Sequence, residues 1–314
     1  MTTAASEFIP ASSLYHHTNR DTFFGREEDT ADGSCLVIES RFSSPEIQTI
    51  SPDEVRKNLM RDLTLVPGIG SIRAAELRRK RVFSISDLKH TRFADAAAEI
   101  SEIIEYGSVK EVLRLFSELH RSSDPLLLGL SSSLPKFYFD IETLGMAHAP
   151  IILFGCGETD EQGIKVTQYL IRDIEEELPA LMLAARHFKK DTAVVTYNGR
   201  CFDVPYLNSR LAYYGEREVR CSIHFDLLHP TRKIFRGELF DCRLETVETA
   251  VPSLKRGIDV PGALVPLYYQ RYLQSRNLSI LKPVVEHNKL DVANLAYLLD
   301  FEMKKCYGDD TYGY

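Results

Sequence analysis

The chain has no CxxC pair and no cysteine-to-histidine spacing suited to zinc: Cys35, Cys156, Cys201, Cys221, Cys242 and Cys306 are scattered over 314 residues. They read as reduced thiols. Positive charge is not in excess either. A net charge of -7 gives no global attraction for nucleic acid, so such a partner has to be held by a local basic patch or through metal ions. Long hydrophobic runs are missing: PIILFGCG falls far short of a membrane span, and MTTAASEFIPASS has neither a basic n-region nor an apolar h-region. A cytoplasmic chain without a membrane partner is the expectation. There is no internal repeat and no low-complexity block, and the 44% hydrophobic content supports a packed core rather than disorder.

Composition changes twice along the chain. Residues 1–55 mix polar clusters with short apolar pieces, DTFF and CLVIES, and read as an arm or a small strand pair. Residues 56–122 carry apolar side chains at spacings of three and four, among them Leu59, Leu63, Val66, Ile100, Ile104, Val112 and Phe116, which predicts an all-helical module. The stretch HRSSDPLLLGLSSSLPK marks a break. From 134 to 306 strands and helices alternate. FYFDIETLG, PIILFGCGE and GIKVTQYLI predict three strands, followed by a helix in DIEEELPALMLAARHFKK, a strand in TAVVTYNG and a helix in VPYLNSRLAYYG closed by Gly215. SIHFDLLHP predicts a fifth strand, and a long terminal helix starts near Pro283. The expected fold is therefore α/β, with a mixed five-stranded sheet flanked by helices and a small all-helical N-terminal module.

Within the helical module, LTLVPGIGSIRAAELRRKRVFSISDL places Gly68 and Gly70 in a tight turn around Ile69. Glycines let backbone N–H groups at the start of the next helix approach a phosphate without an intervening side chain. Between Ser71 and Arg92 seven basic residues, Arg73, Arg78 and Arg79 among them, face only Glu76 and Asp87, so this segment is net positive in an acidic protein. A plain helix–helix turn with a solvated basic face is the other reading. The pattern over residues 63–88 resembles the helix-hairpin-helix family, whose turn grips a nucleic-acid backbone without reading sequence. Arg81 departs from it by standing where a glycine often ends the second helix.

Three fragments further on carry candidate chemistry. In FYFDIETLG, Asp140 and Glu142 sit two apart on a strand and so share a face, where their charges repel unless a cation or a proton intervenes. With 45 acids in the chain, roughly six DxE pairs arise by chance, so this one means little alone. In VVTYNGRCFDVPYL an apolar strand ends at Asn198-Gly199 and Asp203 opens the next helix, a position where α/β sheets gather ligands. A turn and a helix cap are the plain alternative, with Phe202 in the core. In EHNKLDV, His287 and Asp291 lie at i and i+4 on one helix face, an arrangement that taken alone is more often a solvated or capping pair.

Taken in order, DxE, NGxxFD and HxxxD resemble the DEDD exonuclease superfamily on its ribonuclease H-like fold, and the chain is most similar to YprB-like ribonuclease H-like proteins. The resemblance covers about residues 137–300, including HFDLLHPTRK and VPGALVPLYYQRYL. It implies that Asp140, Glu142, Asp203 and Asp291 bind two divalent ions, Mg²⁺ or Mn²⁺, with His287 as base or water-orienting group. Hard oxygen ligands suit such ions, and a histidine titrating near pH ~6.5 can take a proton from water at neutral pH. The implied activity is phosphodiester hydrolysis of DNA or RNA, as a 3'-5' exonuclease. A nucleic-acid-binding protein with a weak or inactive nuclease-like domain, or a structure-specific endonuclease, is the alternative. The histidine stands at the spacing that other branches give to a tyrosine, which leaves its role open. Asp226 reads as structural. Asn198 and Phe202 read either as substrate contacts or as turn and core, and Arg232, Lys233 and Arg236 either as phosphate contacts or as a solvated face.

Overall fold

The computed structural model describes residues 25–47, 50–121, 124–132, 134–145, 149–251, 254 and 260–307. DTFF lies outside the described residues. The chain opens with a hairpin, β1 (Arg26–Thr30) and β2 (Gly33–Phe42). Four helices come after it: α1 (Pro52–Met60), α2 (Ser71–Arg79), α3 (Ala94–Tyr106) and α4 (Val109–Glu118). Next come β3 (Lys136–Thr143), β4 (Ile151–Asp160), β5 (Gly163–Leu170), α5 (Glu177–Ala185), β6 (Ala193–Thr196), α6 (Asp203–Tyr213) and β7 (Ile223–Asp226). The chain ends with α7 (Leu228–Ile234), α8 (Leu244–Ala250), α9 (Val265–Ser275) and α10 (Lys282–Tyr307). It divides into a sheet unit, residues up to Glu46 together with Pro135–Phe301, and a helical unit, Ile47–Leu134 with the residues from Glu302 on.

The sheet has seven strands, not the five expected, in the order β1-β2-β5-β4-β3-β6-β7. The two additional strands are the hairpin within residues 1–55. β2 pairs antiparallel with β5, Leu36 opposite Leu170 and Phe42 opposite Ile164. Cys35 and Val37 enter the core on one face and Leu36 and Ile38 the core on the other, so β2 is an interior strand. The run CLVI is too short to announce that role, because its pairing is non-local. β1, reading REEDT, closes that edge with charged side chains that discourage further strand pairing. β3 is antiparallel to β4 and parallel to β6, so the pairing changes from antiparallel to parallel at β3, the fifth strand in the order.

Two further sequence expectations need correction. Strand β7 stops at Asp226, and the LHP of SIHFDLLHP starts α7, because the Asp226 carboxylate accepts the Leu228 N–H and turns the chain into a helix. Helix α5 covers only Glu177–Ala185, with Pro179 tolerated in its first turn and HFKK outside it. Helices α8 and α9 are not among the elements the sequence predicts, whereas β3 to β6, α6 and α10 stand where the sequence places them. Gly215 has φ +77 and ends α6 in a Schellman motif, Glu216 N–H to the Leu211 carbonyl and Gly215 N–H to that of Ala212.

In the helical unit, Ser51 caps α1, and Ser108 with Glu111 forms a capping box on α4. Leu59, Leu63, Ile85, Leu88, Ile104 and Phe116 are fully buried between these elements. Arg121 bridges Asp62 and Asp124 at 2.6 Å each. Helix α2 ends in the same Schellman motif as α6, with Val82 N–H on the Leu77 carbonyl and Arg81 N–H on that of Arg78, but the left-handed position is Arg81 at φ 65. A side chain in that region costs about 1–2 kcal/mol, and glycine returns part of this through its greater unfolded freedom. Arg81→Gly is therefore expected to stabilise the helical unit by about 0.5–1 kcal/mol, read as a higher midpoint in urea.

Candidate active site

Strand alternation builds the site. Phe137, Phe139 and Ile141 of β3 point into the core shared with Leu181 and Ala184 of α5 and Leu207 and Leu211 of α6. Asp140 and Glu142 consequently face the other way, onto α10. Gly155 of β4 lies directly opposite Asp140, and Gln168 of β5 opposite Gly155. Over this row sits Asn288 of α10, fully buried. The Gln168 amide donates to Asn288 Oδ1 at 2.8 Å, and Asn288 Nδ2 donates to Asp140 Oδ2 at 2.8 Å. The absent side chain of Gly155 is what admits it, since a Cβ there would stand 2.5 Å from Asn288 Oδ1 and 2.5 Å from Val292 Cγ2. Gly157 does the same one pair along, where a Cβ would lie 2.7 Å from Val292 Cγ1. Glycines inside a strand mark close approach of another element, and here that element is the helix carrying His287 and Asp291.

His287 Nε2 lies 3.4 Å from Asp291 Oδ2 and 3.6 Å from Glu142 Oε1, all three side chains being buried. One donor atom from each of Glu142, His287 and Asp291 falls within 4.8 Å of the others. Asp203 enters from the start of α6, its Oδ1 accepting the Ile141 N–H at 3.1 Å. It is coupled electrically to Asp291, as is Asp140. Glu142, His287 and Asp291 are thus brought within ligand distance of one another, and Asp140 and Asp203 lie close enough to feel the charge of Asp291, the five standing on three elements.

Burial raises Asp140 well above the usual carboxylate range, and the charges of Asp203, Asp291 and Glu142 add to the rise while the Asn288 amide opposes it. Burial likewise pushes Asp203 up to about 7, against the Ile141 N–H and its own backbone N–H, with Asp226 and Asp291 adding to the rise. A cluster of hard oxygen donors that repel one another, with an imidazole at its edge, fits a divalent cation. Without one, burial of these charges, with their mutual repulsion added, disfavours the fold at high pH. The sign comes from Asp203: its folded value lies above its ordinary 3.8, so the folded form holds the proton more tightly and stability falls as pH rises from about 4 toward 7. In chelator, Asp203→Asn keeps an oxygen for the Ile141 N–H and loses the charge. It is therefore expected to melt higher than wild type at pH 8 and no higher at pH 4, in paired thermal scans.

The remaining residues singled out in the sequence lie elsewhere or do other work. Asp226 spends its carboxylate on the backbone, accepting the N–H groups of Asn198 at 2.7 Å and Arg200 at 3.0 Å. Asn198, at φ 64, is exposed, and Gly199 is required beside it because a Cβ would meet Thr196 at 2.5 Å. Phe202 is half-buried against the α5/α6 core, its ring 5.3 Å from that of Tyr206. In the helical unit, Gly68 and Gly70 are exposed, and space beside Gly70 is open at the start of α2. Arg73 and Arg79 are exposed and Arg78 half-buried, with Arg73 reaching the Phe93 ring at 5.9 Å. The Ile69 side chain is buried and its N–H donates to the Val66 carbonyl, so it shapes the turn. Sequence reasoning missed Asn288, Gln168 and Gly155. Only the two mid-strand glycines of FGCGE signalled them.

A mixed sheet with a carboxylate cluster on the strand where pairing changes from antiparallel to parallel defines the class. Residues 137–301 match the family described as the RNase_H superfamily, and the chain belongs to it. Its domain is a YprB-like, ribonuclease H-like one: the chain is 30% identical over 208 residues to the uncharacterized protein YprB of Bacillus subtilis (strain 168), covering 65% of this chain and 50% of that protein. It is also 30% identical over 129 residues to a DNA polymerase of Pyrococcus glycovorans, covering 30% of this chain and 16% of the polymerase. The chain thus spans half the length of YprB and a small part of the polymerase. The domain is nuclease-like, and among the described residues no helix is long and apolar enough to cross a membrane.

Proposed function

We propose that this protein is a metal-dependent nuclease of the DEDD type, trimming DNA or RNA from the 3' end. The convergence of Asp140, Glu142, Asp203 and Asp291 with His287 carries the reading. These four carboxylates would hold two Mg²⁺ or Mn²⁺ ions. Bound there, the ions supply an activated water and offset charge on the scissile phosphate. The chain's own part is to fix that geometry: Asn288 orients Asp140, the Ile141 N–H orients Asp203, and α10 presents Asp291. His287, with its Nε2 3.4 Å from Asp291 Oδ2 and 3.6 Å from Glu142 Oε1, would orient or deprotonate a water. Similarity to a DNA polymerase of Pyrococcus glycovorans supports a nucleic-acid substrate. In the helical unit, the Gly68–Gly70 turn with Arg73, Arg78 and Arg79 would grip the backbone in helix-hairpin-helix fashion.

The test is a panel of single- and double-stranded DNA and RNA, labelled at either end, with Mg²⁺, Mn²⁺ or chelator. Stepwise shortening from the 3' end that needs the metal, with circular substrates left intact, is expected. No cleavage of any substrate would overturn the reading, and cutting of circles would replace it with an endonuclease.

A further inference from the structure

The segment Leu227–Arg243, between β7 and α8, has features that its own packing does not explain. Both of its ends are fixed to the loop that leads into Asp203. At its start, Asp226 holds the Asn198 and Arg200 N–H groups. At its end, the Tyr197 hydroxyl donates to the Cys242 carbonyl at 2.5 Å. Between them the segment is anchored: Leu227 and Leu228 are buried, and the buried Phe235 stacks on Phe301 at 5.7 Å and 6°. Gly237, at φ +79, then turns the chain. Beyond this turn stands Phe240, completely exposed although the segment's other phenylalanine is buried.

The charge of this segment is also unlike that of the chain. Arg232, Lys233, Arg236 and Arg243 stand against Glu238 and Asp241, a positive balance in a protein of net charge -7. Arg232, Lys233 and Arg236 are exposed. An exposed ring on the same segment as exposed cations, tied to the loop that leads into Asp203, has the two components by which proteins hold single strands: a stacking platform and a backbone track. Exposure of one apolar residue is ordinary on a surface, but its conjunction with these cations and with the site is not.

Resting on the nuclease reading above, we propose that Phe240 stacks on an unpaired base of the substrate strand while Arg232, Lys233 and Arg236 track its phosphates. The substrate class is then a single strand or a frayed end, because the base faces in a duplex are already covered by neighbouring bases.

The experiment uses the full chain carrying Asp140→Asn, with Mg²⁺, and measures anisotropy of fluorescent single-stranded DNA and RNA oligonucleotides. Adding Phe240→Ala is expected to weaken binding of at least one of them by roughly 5- to 100-fold, and Phe240→Tyr by less than about twofold. An oligonucleotide of the same backbone with abasic sites in place of bases should bind both the parent and Phe240→Ala equally. The proposal is overturned if Phe240→Ala binds intact strands within twofold of the parent, if the loss is the same on the abasic strand, or if the parent binds no oligonucleotide. Binding does not require cleavage, so the two readings fail separately. Phe240-dependent binding by a wild-type chain that never cleaves refutes the nuclease alone, and cleavage with Phe240-independent binding refutes this proposal alone.

Discussion

Asp140→Asn is expected to lower the single-turnover cleavage rate by about three orders of magnitude, or about 4 kcal/mol of transition-state stabilisation, while raising the melting temperature of the metal-free protein. The opposite signs come from one cause. Asp140 is held well above the usual carboxylate range by burial and by Asp203, Asp291 and Glu142, so deleting its charge relieves repulsion in the empty cluster. The same deletion removes a charged oxygen ligand where the reaction needs cations held in place. Asparagine keeps the shape and an oxygen to accept the Asn288 amide. Rate measured against metal concentration, together with thermal scans in chelator, separates this from misfolding, which would lower both rate and stability.

Gly155→Ala should have the second largest effect, although residue 155 has no chemistry of its own. The new methyl carbon would stand 2.5 Å from Asn288 Oδ1 and 2.5 Å from Val292 Cγ2, inside any tolerable contact. Neither neighbour can yield alone: Asn288 is bonded to Gln168 and Asp140, and Val292 is fully buried. Helix α10 must move instead, and His287 and Asp291 move with it. Overpacking of this kind costs about 1–3 kcal/mol, and a displacement on the order of 1 Å at reacting groups costs about 100-fold in rate. Chemical denaturation and single-turnover kinetics check the two parts. A variant that keeps wild-type rate would show that α10 does not set the geometry of the site.

Much of the fold and site is legible in the sequence because the informative patterns are local. Alternation in FYFDIET fixes which face carries Asp140 and Glu142, and the 3.6-residue helical period puts His287 beside Asp291. Gly215 announces the end of α6 by the conformation that only glycine adopts freely. The hidden part depends on pairing between distant segments. Nothing in GSCLVIESRF states that it joins β5, more than a hundred residues away, so the sequence reads as a sheet of five strands. Asn288 and Gln168 read as ordinary polar residues until the fold brings them over Gly155. Arg81 shows the reverse: its place in the turn is legible, but its left-handed conformation becomes definite only with the Schellman hydrogen bonds.

The central claim is that the carboxylate cluster is a divalent-metal centre. Diffraction from wild-type crystals grown with Mn²⁺, recorded to show manganese anomalous scattering, tests it most directly. The account predicts manganese bound among Asp140, Glu142, Asp203 and Asp291, and its loss in Asp140→Asn. Manganese absent from these four side chains at saturating concentration, or found only elsewhere on the chain, would contradict it.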